Sequence, residues 1–377
     1  MGGDELIFVA VLALRLGVPL FIPRFPLPAI LAALVIDAAD QTIFQNNTDL
    51  NLDGYQGYDK ALDVYYLTVA YLSTIRNWSD PFAFRTGQFL WYYRLTGVLL
   101  FEITGARALL IIFPNTFEYF FIAYEFVRLW WDPTRLNKRQ VIKTAAAIWI
   151  FIKLPQEWWI HIAQLDFTDF MKEDVFGVTA ETSWGDAISE NLWFVVLLAV
   201  VAVLVIVGIM RLRKVLPSPD HAFGFDVDRT LDHRRIAAPP EPAWQPVVSW
   251  YMFEKIALVS MVTTIFALVL PDNEVSVLGV VVPVAFIIIA NAFVSTWFAR
   301  RGRDWGSIGV EFVVMAAVNV GSALLFVVLV RQSDDSINEG ATIFFVLLLT
   351  LIVTMFDRYH RTGASPGDLG VVEGVVS

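Results

Sequence analysis

Three groups of side chains in this sequence could do chemistry. The first lies in Ile152–His161, Ile-Lys-Leu-Pro-Gln-Glu-Trp-Trp-Ile-His, inside a stretch otherwise apolar enough to cross a bilayer. It carries Lys153, Gln156, Glu157 and His161. Lys153, Glu157 and His161 follow one another at intervals of four, so a helix stacks them on one face. The second group is the run from Phe113, Phe-Pro-Asn-Thr-Phe-Glu, in which Asn115, Glu118 and Glu125 share a helical face. Arg94 stands near the middle of the preceding apolar segment. Each charge at membrane depth costs at least ~2.5–3.5 kcal/mol, so such groups persist where protein partners or a water-filled cavity receive them.

The prolines sharpen this reading. Pro114 deprives the Leu110 carbonyl of its helical partner, and Pro155 does the same to Phe151. Interrupted helices at membrane depth are tolerated when buried in protein or lining a cavity, and they recur at transporter binding sites. The pattern predicts one charge network of Arg94, Glu118, Lys153, Gln156, Glu157 and His161. It would couple to protons or ions. In an enzyme, Glu118, Glu157 and His161 would instead be the acid/base groups. In an accessory protein the same network would only fix the fold.

The third group is acidic. Asp37 and Asp40 are three apart and Asp59 and Asp63 four apart, so each pair faces one way on its helix. Between them, Asp49-Leu-Asn51-Leu-Asp53-Gly54 matches the first half of a calcium loop, where alternate oxygens converge on one ion and the glycine makes the turn. The second half departs from that pattern, with Lys60 where a bidentate Glu belongs and Asp59 one residue earlier. The expectation is a divalent cation, Ca²⁺ or Mg²⁺, on Asp49, Asn51, Asp53 and Asp59, beside an outer acidic cluster of Asp37, Asp40 and Asp63. The competing expectation is a polar loop of Asx turns.

The two aspartate pairs resemble, in outline, the paired-aspartate signature of the CDP-alcohol phosphotransferases. That resemblance would imply metal-assisted transfer to a lipid substrate. The departures are specific: Gln41 stands where the signature has Gly, and Phe44-Gln45 where it has Ala-Arg. The chain is therefore not assigned to that family. Phosphate-loop, nucleophile-elbow and dinucleotide fingerprints do not occur in a suitable context.

The elements that must position these groups are apolar blocks. The 377 residues are 57% hydrophobic and 17% charged, against ~45–50% and ~25% in soluble domains. Eleven hydrophobic segments run near 5–22, 27–44, 61–78, 87–104, 107–127, 144–163, 191–210, 247–269, 277–298, 307–330 and 341–356. The predicted fold is an all-α, polytopic membrane bundle of about eleven transmembrane helices, or ten if the first is a half-crossing. Links after segments 1, 3, 5, 7 and 9 and the tail hold 19 of the 27 basic residues. That asymmetry places the N-terminus outside and the C-terminus in the cytoplasm of a cell membrane. Four basic residues, Arg15, Arg94, Lys153 and Lys255, fall within spans.

The domain expectation is an N-terminal membrane unit over 1–210, a Pro-containing cytoplasmic linker over 211–246, a four-helix unit over 247–357 and a disordered tail over 358–377. Segment 7 is expected to face lipid, and Glu254 and Lys255 to snorkel toward the cytoplasmic interface. Small residues in segments 10 and 11 suit packing or a homo-oligomer surface. With no cysteine and a net charge of −10, disulfides, thiolate metal sites and nucleic-acid binding are excluded. The favoured function is a transporter or ion/proton-coupled permease. The alternatives are an enzyme acting on a lipid-linked phosphate at the outer leaflet and an accessory membrane protein.

Overall fold

The computed structural model describes residues 3–48, 55–163, 167–179, 181–227, 250–269 and 339–362, with 313, 314, 316, 317 and 321. Segments 9 and 10 fall almost wholly outside these residues, as do the calcium-like turn at 49–54 and most of the tail. Among the described residues every regular element is helical.

The first helices form a sequential bundle: α1 (Gly3–Gly17), α2 (Pro26–Asn47), α3 (Tyr55–Asn77) and α4 (Pro81–Thr104). Prolines open α2 and α4, where a missing N–H costs nothing. Asp80 caps α4 by accepting from the amides of Phe82 and Ala83. Next come α5 (Ala108–Ile112), α6 (Thr116–Arg128) and α7 (Lys138–Ala147). Asn137 and Gln140 start α7 with a reciprocal capping box. The later helices are α8 (Leu154–Glu157), α9 (Phe167–Phe170), α10 (Trp184–Glu190), α11 (Leu192–Val215), α12 (Trp250–Val269) and α13 (Glu339–Thr362).

The centre of the fold is α3, which contacts α1, α2, α4, α12 and α13. From Ala61 to Trp78 nearly every residue is buried. Its hydroxyls are neutralised locally: Thr68, Ser73 and Thr74 donate to carbonyls three or four residues back, at 2.6 to 2.7 Å. A helix buried on all sides can therefore carry these hydroxyls with each of them hydrogen-bonded.

The described connections between helices gather at two ends of the bundle. Arg76 and Asn77 both donate to the Pro23 carbonyl, the latter at 2.9 Å. Arg24 pairs with Asp226 at 3.0 Å, and Arg135 with Asp220 at 2.6 Å. The links that follow segments 1, 3, 5 and 7 thus meet at one end. At the other, Lys60 pairs with Glu102 at 3.1 Å.

Two sequence expectations need correction. Glu254 and Lys255 do not snorkel, because α12 packs against α3, α4 and α13 and buries both. Lys255 pairs with Asp357 of α13 at 2.8 Å, and Glu254 accepts from the Tyr71 hydroxyl and from Gln88 Nε2 at 2.9 Å. Nor does Pro155 interrupt its helix. The backbone widens into π-helical turns at Ile148–Lys153 and Trp158–Ile162, so the helix continues through it. Ala163, for instance, donates to the Trp158 carbonyl five residues back at 2.9 Å.

Judged by length and hydropathy, one described helical run, Ala108–Arg128, can cross a membrane by itself. A second, Trp184–Gly208, joins it if the two helices meeting at an 89° bend count as one. Arg15 in α1, Asp37 and Asp40 in α2, and the charges of α3 and α4 lower the hydropathy of their helices.

Candidate functional site

The site forms where segment 5 breaks. Pro114 supplies no amide, and Phe113 and Asn115 adopt non-helical ψ angles of 62° and 64°. The carbonyls stranded by the break find donors on α4. Tyr93 Oη donates to the Ile112 carbonyl at 2.7 Å, and Arg94 Nη1 to the Phe113 carbonyl at 3.1 Å. Gly97 lets the break approach α4, since a methyl group there would stand 2.1 Å from Phe113 Cβ. The sequence thus breaks the helix at Pro114 and places on α4 the groups that stabilise the break.

Three helices bring charge to that point, and α3 adds a tyrosine. Glu118, in the first turn of α6, accepts from Tyr66 Oη of α3 at 2.6 Å and from Asn115 Nδ2 at 2.9 Å. Glu157 of α8 accepts from the Asn115 backbone amide at 3.2 Å and contacts His161 Nε2 at 3.0 Å. Lys153 donates to Gln156 Oε1 at 3.1 Å and lies over the Tyr119 ring. Its ammonium is 3.6 Å from Glu118, and Arg94 Nη1 is 4.0 Å from Glu157. Both charge pairs are longer than a hydrogen bond. All six residues predicted for the network, Arg94, Glu118, Lys153, Gln156, Glu157 and His161, are thereby brought together. Glu118, Lys153 and Glu157 are buried, while the His161 side chain keeps 22% of its exposure.

Two buried polar atoms at the break have no partner, Asn115 Oδ1 and Thr116 Oγ1. Asn115 precedes the first turn of α6 without capping it. A buried acceptor and a buried hydroxyl left open at a helix N-terminus are costly unless something polar comes to them.

The acidic pairs also converge, around a residue the sequence left unassigned. Arg15 of α1, 3% exposed in its side chain, bonds to Asp37, Asp40 and Asp59, and to Asp63 at 2.9 Å. The carboxylates of Asp37, Asp59 and Asp63 offer oxygens within 4.8 Å of one another. That donor set suits Ca²⁺ or Mg²⁺. The guanidinium among them already engages an oxygen of each of the four carboxylates, and supplies one positive charge against them. Asp49, Asn51 and Asp53 lie outside the described residues.

Sequence reasoning missed Tyr66, Arg15 and the Tyr71–Gln88–Glu254 cluster. Arg15 left one signal, a single basic residue in a helix preceding four aspartates. Tyr66 left none, because a tyrosine in an aromatic-rich apolar helix is indistinguishable from core.

No family model matches the chain, and no curated protein or solved structure matches it.

Proposed function

We propose that this chain is a multi-pass protein of the cell membrane, of about eleven spans with the N-terminus outside, acting as an ion- or proton-coupled permease. Its binding site is the break between α5 and α6. The observation that carries the proposal is the pair of loosely held charges there. Arg94 and Lys153 stand 4.0 and 3.6 Å from Glu157 and Glu118, beside a helix start with two unpartnered polar atoms. A site that only fixed the fold would close these pairs to hydrogen-bond length, since loosely paired buried ions are hard to stabilise. Broken helices of this kind form solute sites in transporters.

The membrane reading is supported by α11. Its apolar side chains are exposed on every face, Leu192 by 67% and Leu204 by 63%, and its principal described contacts are with α10. Phe151, beside the site, is 77% exposed. Apolar surface of this extent calls for lipid or another protein around it. The convergence of basic links at one end agrees with a cytoplasmic face there.

The test is proton or ion entry into liposomes carrying the purified full-length chain, driven by an imposed membrane potential. The native chain is expected to conduct or exchange, and Glu157→Gln and Lys153→Ala to reduce the rate. Equal rates in well-folded variants and native protein would remove this site from transport.

A second reading, a lipid-phosphate enzyme, draws on the clustered oxygens of Asp37, Asp59 and Asp63. Arg15 weighs against its metal.

A further inference from the structure

The helix through Pro155 runs without interruption from Lys138 to Ile162, as α7, the two π-helical stretches and α8. One side of it is buried, at Val141, Ala145, Ile148, Lys153 and Glu157. The other side changes character along its length. It opens with Lys138, Arg139 and Lys143, all exposed. Beyond them it is apolar and equally exposed, Ile150 by 53% and Phe151 by 77%, with Trp158 and Ile162 further on. Arg139, Lys143 and Ile150 are spaced four and seven residues apart, so they share one side of the helix. Charge gives way to hydrocarbon between Lys143 and Ile150, over about 10 Å at ~1.5 Å per residue. That is the pattern of a span meeting the cytoplasmic headgroups.

The basic end lacks a counter-charge of its own. Between Asp132 and Glu157 the sequence holds five basic residues and no acid. No acid stands in the first turn of α7 either, although a helix dipole disfavours positive charge there. Arg24 and Arg135, at the same end of the bundle, pair with Asp226 and Asp220. Among the described residues no carboxylate pairs with Arg139 or Lys143. At this end, too, Phe126, Trp130, Phe223 and Phe225 form a continuous aromatic strip, with successive ring centroids 5.1, 5.3 and 4.9 Å apart. The three phenylalanines are about half exposed, as interfacial aromatics are.

We propose that the start of α7 is a binding surface for anionic phospholipids of the cytoplasmic leaflet. Arg139 and Lys143 take the headgroup phosphates, and the exposed Ile142 and Ile150 meet the acyl chains beneath them. A lipid is the occupant that suits both halves of this surface. A soluble anion would answer the cations and leave the adjoining hydrocarbon uncovered. The inference rests on the membrane reading and is independent of transport.

The cysteine-free sequence allows a local test. The full-length chain with Ala147→Cys carries a bimane label between the charges and the apolar surface, in phosphatidylcholine bilayers. Brominated phosphatidylglycerol is expected to quench the label at a mole fraction at least about fivefold below that needed with brominated phosphatidylcholine, the effect of one Lys or Arg at an anionic surface. Adding Arg139→Gln and Lys143→Gln should bring the two lipids together. Both side chains are exposed, so the fold should be unaffected. Arg107, exposed at the opposite end, is the control, and Arg107→Gln should keep the native difference. Equal quenching by the two lipids in the unsubstituted background, or an undiminished difference after Arg139→Gln and Lys143→Gln, overturns the lipid surface. Loss of the difference on adding inorganic phosphate at constant ionic strength assigns these bases to a soluble anion and overturns it as well. A chain that does not enter the bilayers overturns the membrane reading, and this surface with it.

Discussion

The most exacting prediction concerns Gly97. Glycine inside a helix normally destabilises it, and replacement by alanine gains ~0.5–1 kcal/mol. Here the sign reverses. A methyl group on Gly97 would lie 2.1 Å from Phe113 Cβ and 2.7 Å from Cγ. Carbon atoms rest ~3.5–4.0 Å apart, so α4 and the break must part by about 1.5 Å. Phe113 cannot rotate clear, because the atom struck is its Cβ, fixed to the backbone. The same displacement stretches the 3.1 Å bond from Arg94 to the Phe113 carbonyl beyond hydrogen-bond range. Overpacking costs ~1–3 kcal/mol, and a hydrogen bond from a charged donor contributes ~1.5–3 kcal/mol. Gly97→Ala should therefore lose about 3–5 kcal/mol, measured by denaturant unfolding in detergent micelles, and should impair proton flux. Gly87→Ala is the internal comparison. Its methyl would meet the edge of the Trp78 ring at 3.0 Å, a contact too tight by only a few tenths of an ångström. It should cost less than about 1 kcal/mol. A Gly97→Ala protein as stable as the native chain, or less affected than Gly87→Ala, would show that the break does not pack on α4 as described.

Two further outcomes follow from other regions. Arg15→Gln removes the buried cation among Asp37, Asp40, Asp59 and Asp63, and should cost about 3–5 kcal/mol, as breaking a buried pair does. Millimolar Ca²⁺ should restore part of its thermal stability and leave the native chain nearly unchanged; an equal shift in both would show that Arg15 is not the counter-ion. For α11, the cysteine-free sequence allows single reporters. Cysteine at Val196, Val200 or Val203 should resist a membrane-impermeant maleimide, whereas cysteine at Ser218 should label from the cytoplasmic side; ready labelling of the three valine positions would place α11 in water.

What was legible in the sequence follows from what proline and charge do locally. Pro114 removes an amide from its helix, and Asn115 follows it at the start of a second helical run, so a break there was one of the readings the sequence offered. The spacing of Lys153, Glu157 and His161 fixes their common face, and opposite charges buried in neighbouring helices seek each other, so the network could be read too. Pro155 misled because a proline has two outcomes. It can open a helix, or the helix can take up the lost bond by widening to i→i−5 turns, and neighbouring packing chooses between them. Glu254 and Lys255 misled because position near a segment end was taken for proximity to an interface. Their partners Tyr71, Gln88 and Asp357 come from three other helices, and no local pattern reports a contact made across 102 or more residues.

Two of the buried ion networks differ in a way that bears on function. Lys255 and Asp357 meet at 2.8 Å with both side chains almost fully enclosed. This is a closed pair, in which each charge has its hydrogen-bonding partner and nothing is left to receive a ligand. Around the α5–α6 break the Lys153–Glu118 and Arg94–Glu157 pairs stand at 3.6 and 4.0 Å, and Asn115 Oδ1 and Thr116 Oγ1 remain without a partner. A single chain therefore contains both arrangements, packed against the same central helix. Around the break, freed backbone groups and the longer ion pairs coincide, and Tyr66 brings α3 into contact with Glu118. That coincidence makes the break, and not the equally charged pair between α12 and α13, the place where a proton or solute would be handled.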